Sequence, residues 1–249
     1  MKCRSYLATG ITVMGALIGW SIAQTLPTRN WDEAKAREIA LTIANAWKFS
    51  PGQFQTGTAT NLQHQVYAVL PFDVPGTRRQ LVLIATGPPN ETCHACAPVT
   101  GAVMFELKEG TWRVEYAQPD IGNQGTFGRP PNARLRRLGP AKPAVEFELH
   151  SMAQGYEGSQ VTLVAEVNRG LREVLSIATG ESNEAAAMPP EQTFKWQAAI
   201  EVSQTIHQGF ADILVKSSGT KPAENGNHIV PYSATDTYRF SGEAYMKVE

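Results

Sequence analysis

Two cysteines three positions apart, Cys93 and Cys96, are the residues of this chain whose type and spacing most directly suggest chemistry. A C-x-x-C pair can form a disulfide that staples a loop, act as a redox pair in thiol–disulfide exchange, or supply two ligands of a metal site. In an oxidising compartment we expect a Cys93–Cys96 disulfide. Closing so short a loop stabilises a protein by only about 2 kcal/mol, so the bond would hold a local turn rather than the fold.

A redox role would require a particular scaffold around these cysteines. In thioredoxin-like sites the pair lies between a strand and the start of a helix, whose positive end lowers the pKa of the first thiol. Residues 99–107, which follow the pair, alternate with the period of a strand instead. The sequence therefore favours a loop staple. Thiol–disulfide exchange is the alternative, with Cys93 as nucleophile, Cys96 as resolving thiol and His94 as a residue that tunes the thiolate.

Other catalytic and cofactor motifs are missing from the sequence. A closed zinc site needs four ligands, and no second cluster accompanies Cys93, His94 and Cys96. Covalent haem requires a histidine directly after the second cysteine, where Ala97 stands. The chain has no G-x-S-x-G, H-E-x-x-H or phosphate-binding glycine loop. We therefore expect no cofactor, no metal site and no catalytic residue, and we lean towards a protein that is not an enzyme.

Four arginines form the main basic cluster of the chain: Arg129, Arg134, Arg136 and Arg137. Arg134 and Arg136 would share one face of a strand, where two guanidinium groups suit a carboxylate, a phosphate or an acidic envelope polymer. These four residues are therefore candidates for anion binding. The alternative is a solvent-facing edge strand whose charges discourage the addition of a further strand.

Two glutamates on one strand face, Glu146 and Glu148, suggest a catalytic carboxylate pair. They alternate with Val145, Phe147 and Leu149, which is typical of a strand with one apolar and one polar face. We expect the polar face to be solvated, which accounts for both glutamates without catalysis.

The first 23 residues have the form of an export signal. Lys2 and Arg4 precede an apolar run over residues 7–22, and the small residues before Ala23 suit signal peptidase. We expect cleavage after Ala23 and a periplasmic or secreted protein. The alternative is a protein that stays anchored to the membrane by an uncleaved signal.

Residues 24–249 carry 20 basic and 23 acidic side chains, and this mild negative charge argues against nucleic acid as a partner. We expect no membrane contact after signal cleavage, and an unknown envelope component or a small ligand as the partner. The length suits a single mainly-β domain. A segment rich in alanine and proline, residues 180–192, marks the place of a possible subdivision.

One amphipathic helix is predicted near the start of the expected mature chain. Asn30 and Glu33 have the spacing of a capping box, and the pattern continues to Phe49. A stripe of apolar residues at four-residue spacing predicts that the helix packs on a sheet: Ile39, Ile43 and Trp47.

From about residue 65 onward the apolar residues alternate, which predicts an antiparallel β-sandwich or strongly bent sheet. A turn at Glu109-Gly110 would place Leu107 opposite Trp112, Phe105 opposite Val114 and Val103 opposite Tyr116. A three-residue loop at 168–170 would place Val167 opposite Leu171 and Leu163 opposite Leu175. Glycine, proline and polar residues predict loops at residues 119–131, 152–158 and 217–228.

The segment 93–98 (C-H-A-C-A-P), followed by Gly101-Ala102, Phe105 and Gly110-x-Trp112, resembles a group of exported, functionally uncharacterised bacterial proteins that carry a C-H-x-C loop ahead of a strand. The resemblance covers residues 81–180 and implies an envelope location, but no activity. We therefore expect a non-enzymatic binding or interaction module that uses the loops at residues 93–98, 121–131 and 152–158, since binding residues tend to lie on loops.

Overall fold

The computed structural model describes residues 25–26, 29–54, 60–89, 93, 95–224 and 228–248. Residues 1–23, which carry the predicted export signal, and His94 lie outside the described residues. In the described part, two antiparallel β-sheets are accompanied by one α-helix near the start of the chain, and the eight-stranded sheet is strongly curled. The mainly-β sandwich predicted from the alternating pattern is therefore confirmed.

The described part of the chain contains one α-helix, three 3₁₀ turns and thirteen strands. They are β1 (Thr25–Leu26), α1 (Glu33–Ala44), a 3₁₀ turn (Pro51–Gln53), β2 (Gln63–Pro71), β3 (Arg79–Gly87), β4 (Val99–Lys108), β5 (Thr111–Gln118), β6 (Asn132–Arg137), β7 (Pro143–Ala153), β8 (Tyr156–Val167), β9 (Gly170–Ser182), two 3₁₀ turns (Glu184–Ala186 and Pro190–Gln192), β10 (Lys195–His207), β11 (Phe210–Pro222), β12 (Ile229–Phe240) and β13 (Tyr245–Val248).

Both sheets are meanders in which strands adjacent in sequence pair with each other. The first sheet has the order β1-β5-β4-β3-β2, and the second has the order β13-β12-β11-β10-β9-β8-β7-β6. Pairing between β9 and β10 is confined to three residue pairs, the last of which is Gln197 with Gly180. Beyond that point β10 pairs only with β11 among the described strands, so the second sheet folds back on itself.

Three apolar clusters show how these layers stack. The first contains α1 and one face of the five-stranded sheet, and the second joins the other face of that sheet to β7, β8 and β9. The third joins the opposite face of β7, β8 and β9 to β11, β12 and β13. Alternate residues of β7 to β9 thus enter two different cores, because successive side chains of a strand point to opposite faces.

The helix packs on the sheet as predicted, but its bounds and its contact face differ from the prediction. The N-cap is Asp32 rather than Asn30: its carboxylate accepts a hydrogen bond of 3.0 Å from the backbone N–H of Lys35. The helix ends at Ala44 rather than Phe49. The fully buried residues of the helix are three alanines, Ala36, Ala40 and Ala44. The larger residues of the predicted stripe, Ile39, Ile43 and Trp47, are half-buried beside them.

The β4–β5 hairpin turns at Glu109-Gly110 as predicted, and Leu107 lies opposite Trp112 and Phe105 opposite Val114. The next predicted pair, Val103 with Tyr116, is wrong, because a β-bulge beyond Phe105 shifts the register. Met104 takes the place opposite Tyr116. A bulge adds one residue to one strand and moves every later pair, and alternation alone does not reveal it.

The β8–β9 hairpin differs from its prediction in a similar way. Asn168 and Arg169 both have positive φ, so the turn has two residues and Gly170 pairs with Val167. The predicted pairing of Val167 with Leu171 is therefore wrong. A bulge at Leu163 then restores the predicted pairing of Leu163 with Leu175.

Two predicted loops are strand segments instead. Residues 152–158 form the end of β7, a tight turn at Gln154-Gly155 and the start of β8. The first half of the predicted loop at residues 217–228 continues β11 as far as Pro222. The predicted loop at residues 119–131 does connect two strands, β5 and β6. Residues 180–192 lead from β9 to β10, which are neighbours in the same sheet.

Candidate functional site

The disulfide loop lies between two strands of the five-stranded sheet. Cys93 and Cys96 are bonded, with their Cα atoms 5.1 Å apart. β3 precedes this loop and β4 follows it, so the second cysteine leads into a strand and not into a helix. Cys93 is exposed and Cys96 is fully buried. This is the strand–loop–strand environment expected of a loop staple.

Backbone hydrogen bonds connect the disulfide loop to the connection between β5 and β6. The N–H of Gly128 donates to the carbonyl of Cys96 at 2.7 Å, and the N–H of Gln124 donates to the carbonyl of Pro98 at 3.2 Å. Gly125 has φ +118°, and a Cβ atom there would overlap the carbonyl oxygen of Arg129. Residues 121–131 are therefore held in one conformation by the stapled loop beside them.

Phe127 stands at the tip of this second loop. Its φ is +52°, which is uncommon for a residue with a bulky side chain, and its side chain is 45% exposed. A left-handed conformation at a non-glycine residue costs free energy and persists where the surroundings fix it. The two loops thus present an aromatic ring towards solvent.

A cavity of about 1010 Å³ opens beside these loops, and we name it the loop groove. Its walls come from both sheets: Gln63, His64 and Gln65 begin β2, while Asn132 begins β6. Further residues from the two loops and from β7 complete it: Pro98, Phe127, Arg129, Glu148, Leu149 and His150. A concave site with a few convergent polar groups is the usual form of a ligand pocket.

His64 is held in place at one wall of the loop groove. Its Nδ1 lies 2.9 Å from the hydroxyl oxygen of Thr86, a fully buried residue of β3. The rings of Trp47 and Phe49 lie 6.2 and 6.3 Å from the imidazole. Burial lowers the pKa of His64, so the imidazole is neutral at pH 7 and offers one donor and one acceptor.

A second cavity of about 490 Å³, which we name the hairpin cleft, adjoins the loop groove. The two share Thr126, Leu149 and His150, and the hairpin cleft extends along the β7–β8 hairpin to Tyr156 and Trp196. Tyr156 is 44% exposed. We name the two adjoining cavities together the trough; its lining residues extend from Pro98 beside the disulfide loop to Trp196 on β10.

A third cavity of about 390 Å³, the charged cleft, also borders on His150. Glu146, which is fully buried, lies here between two arginines: Arg134 Nε is 2.7 Å from its carboxylate, and Arg136 contacts the other carboxylate oxygen. Arg134 also pairs with Glu148 at 2.7 Å. The expectation of a solvated face is therefore wrong for Glu146, because the curled sheet folds over it.

The four predicted anion-binding arginines are distributed over different surroundings. Arg134 and Arg136 face Glu146, so their charges are balanced by a carboxylate, and Arg136 also donates to the carbonyl of Ile200 at 3.3 Å. Arg129 lines the loop groove and forms no ion pair with any described residue. Arg137 is exposed on β6, the edge strand of the eight-stranded sheet.

The groove residues on β2 and at the start of β6 were not singled out by the sequence. Gln63, His64 and Gln65 are separated from Asn132 by more than sixty positions. Only the pairing of the strands and the packing of the two sheets bring them to one cavity. The loops at residues 93–98 and 121–131, in contrast, were expected to carry a site, and both border the loop groove.

Among the described residues, no three or more His, Cys, Asp or Glu side chains are grouped so as to hold a metal ion. In the same part of the chain, no helix combines the length and the apolar character needed to cross a bilayer.

The chain matches no protein-family model, no curated protein and no solved structure. The fold and the cavities described above are therefore the basis on which its function is inferred.

Proposed function

We propose that this is an exported cell-envelope protein that acts as a non-enzymatic binding module, with the loop groove as its ligand site. The observation that carries the proposal is the open cavity of about 1010 Å³ between the two sheets, with a disulfide-stapled loop at its rim. Export is supported by the charged and apolar composition of residues 1–23 and by the use of paired cysteines.

Preorganisation supports binding at this place. Strand residues of both sheets supply His64, Asn132 and His150, and such positions are more precise than positions on free loops. Phe127 lies on a loop, but hydrogen bonds tie that loop to the disulfide. A rigid site loses less conformational entropy when a ligand binds.

The chemistry of the groove walls supports binding without catalysis. His64 is neutral and bonded to Thr86, and Glu148 is paired with Arg134. The carboxylate of Glu148 and the imidazole of His64 are therefore engaged in contacts that hold them in place. Covalent catalysis usually requires an accessible nucleophile that is hydrogen-bonded to a base, with a third group orienting the base. The hydroxyl of Thr86 beside His64 is fully buried, and no carboxylate among the described residues is hydrogen-bonded to His64.

The test is a binding panel of four ligand classes, represented by chitohexaose, hexalysine, tripolyphosphate and laurate. Purified protein is expected to bind one class without turning it over, as measured by titration calorimetry and product analysis. His150→Ala should weaken this binding, because His150 borders all three cavities. His228→Ala is the matched control, since it lies outside the loop groove and the hairpin cleft. Turnover of any compound, or no binding at all, would contradict the proposal.

Thiol–disulfide exchange is the second candidate. The observation that favours it is the unequal exposure of the cysteines, since Cys93 is exposed and Cys96 is buried. An exposed first cysteine can be attacked by an incoming thiolate. The strand that follows Cys96 favours the staple instead, because no helix N-terminus is available there to stabilise a thiolate.

A further inference from the structure

We propose that the trough formed by the loop groove and the hairpin cleft binds an uncharged oligosaccharide, with one sugar ring against Phe127. This inference rests on the proposed binding function and names the class of its ligand. It is drawn from the shape, the charge and the side-chain chemistry of the trough.

The shape of the trough suits a linear chain. The two cavities have volumes of about 1010 and 490 Å³ and share three lining residues, so they adjoin each other. A single small molecule would fill only part of that space, because typical small-molecule pockets have volumes of roughly 300 to 1,000 Å³. A ligand several units long would use both parts.

The charge of the trough argues against a polyanion or a polycation. In the loop groove the charged side chains are Arg129 and Glu148, and Glu148 is paired with Arg134 at 2.7 Å. In the hairpin cleft they are Glu157 and Glu181. One arginine and three carboxylates, one of them paired with Arg134, are spread along the trough. They do not form a field of one sign, which a highly charged chain would need for strong binding.

Uncharged hydrogen-bonding side chains are the most frequent polar groups along the loop groove. They are Gln63, His64, Gln65, Thr126 and Asn132. Amide, hydroxyl and neutral imidazole groups can both donate and accept hydrogen bonds. Sugar hydroxyls also do both, so each can be satisfied without a charged partner. A fatty acyl chain would leave these polar groups without partners, which costs free energy.

Aromatic rings occur at intervals along the same trough. Phe127 is 45% exposed at the loop groove, and Tyr156 is 44% exposed at the hairpin cleft. Trp196 lines the far end of the hairpin cleft and is half-buried against the ring of Tyr232. An aromatic face gives a large apolar contact area, and it suits the apolar C–H face of a sugar ring.

The test uses titration calorimetry with cellohexaose, maltohexaose, chitohexaose and the three matching disaccharides. We expect one hexasaccharide to bind at least tenfold more tightly than its disaccharide, because only the longer chain reaches both cavities. Phe127→Asn removes the ring, and asparagine tolerates a positive φ. It should weaken binding on the order of tenfold, with an unchanged melting temperature. Gln65→Ala, a second groove variant, should also weaken binding.

The control is Met246→Ala, which changes a residue of β13 that is 61% exposed and lies outside the trough. It should leave the affinity unchanged. Hexasaccharide binding that neither Phe127→Asn nor Gln65→Ala weakens would overturn the inference, as would the absence of oligosaccharide binding.

The sugar titrations, taken together with the panel of four ligand classes, separate this inference from the proposed function. If oligosaccharides fail but hexalysine, tripolyphosphate or laurate binds in a way that His150→Ala weakens, the sugar inference is wrong and the binding function stands. If compounds of all four classes fail to bind, both are wrong.

Discussion

The guanidinium group of Arg79 on β3 lies 2.8 Å from the carboxylate of Glu166 on β8, so an ion pair joins the two sheets across their interface. A second nitrogen of the same guanidinium lies 2.8 Å from the carboxylate of Glu115 on β5. All three side chains are largely shielded from water. Removing one partner of such a shielded ion pair destabilises a protein, because the remaining charge is left uncompensated away from water.

Arg79→Met should therefore destabilise the protein by about 2 kcal/mol, because two shielded carboxylates would lose their partner. The measurement is urea denaturation at pH 7. Arg113→Ala is the matched control: Arg113 pairs with Glu109 at 3.4 Å, and both side chains are exposed. Its free energy of unfolding should change by less than about 1 kcal/mol. Equal effects of the two substitutions would contradict a role for Arg79 between the sheets.

The loss of unfolding free energy caused by Arg79→Met should also depend on pH. Burial raises the pKa of Glu115, and Arg79 partly offsets this rise. Without Arg79 the pKa would rise further, so the folded state would hold a proton that the unfolded state releases. The stability of the variant therefore falls as the pH rises above the ordinary pKa of glutamate, about 4.3. The difference between wild type and variant should be small near pH 4 and larger at pH 7, and denaturation at both pH values measures it. A pH-independent difference would count against this account.

The buried carboxylate of Glu146 gives a third prediction. Glu146→Gln should destabilise the protein by about 3 kcal/mol, because Arg134 and Arg136 would face an uncharged group. Glu148→Gln is the control, since Glu148 is partly exposed and its one ion pair among the described residues is with Arg134. This substitution should destabilise the protein by less than about 1 kcal/mol.

Hydrogen exchange would locate the effect of Glu146→Gln. Arg136 also donates to the carbonyl of Ile200, so loss of Glu146 should increase exchange in the neighbouring part of β10. Equal stability of the two variants would show that Glu146 does not anchor the arginines.

The disulfide gives a fourth prediction. The double substitution Cys93→Ala and Cys96→Ala should lower the free energy of unfolding by about 2 kcal/mol without changing the circular dichroism of the sheets, because the bond closes a short loop. The wild-type protein should not catalyse the reduction of insulin by dithiothreitol, since Cys96 leads into β4 and not into a helix. Insulin reduction that the double substitution abolishes would instead establish the redox role.

Local sequence rules predicted part of the fold well. The Glu109-Gly110 turn fixed the first pairs of the β4–β5 hairpin, because turn chemistry and the nearest cross-strand pairs act over a few residues. The bulge beyond Phe105 was not predicted, since nothing in the alternation of side chains marks an inserted residue. The capping-box spacing of Asn30 and Glu33 predicts the wrong helix cap, because Asp32 is an equally suitable N-cap residue two positions further on.

The site depended on contacts between distant parts of the chain. Glu146 was expected to face solvent because β7 alternates between polar and apolar residues, and that pattern does not reveal that the curled sheet covers the polar face. The sequence predicts the part of the loop groove that the loops at residues 93–98 and 121–131 form, but not the part that the strands form. His64 reaches the groove through the pairing of β2 with β3, and His150 reaches it through the packing of the second sheet.

Nuclear magnetic resonance of the histidine rings tests the central claim most directly. Each of the four panel compounds is titrated into the protein while the imidazole resonances, assigned by single His→Gln substitutions, are recorded. The binding account predicts that one compound shifts the resonances of His64 and His150, which line the loop groove, and leaves those of His207 and His228 unchanged. Shifts confined to His207 and His228, or no shifts with any compound, would contradict it.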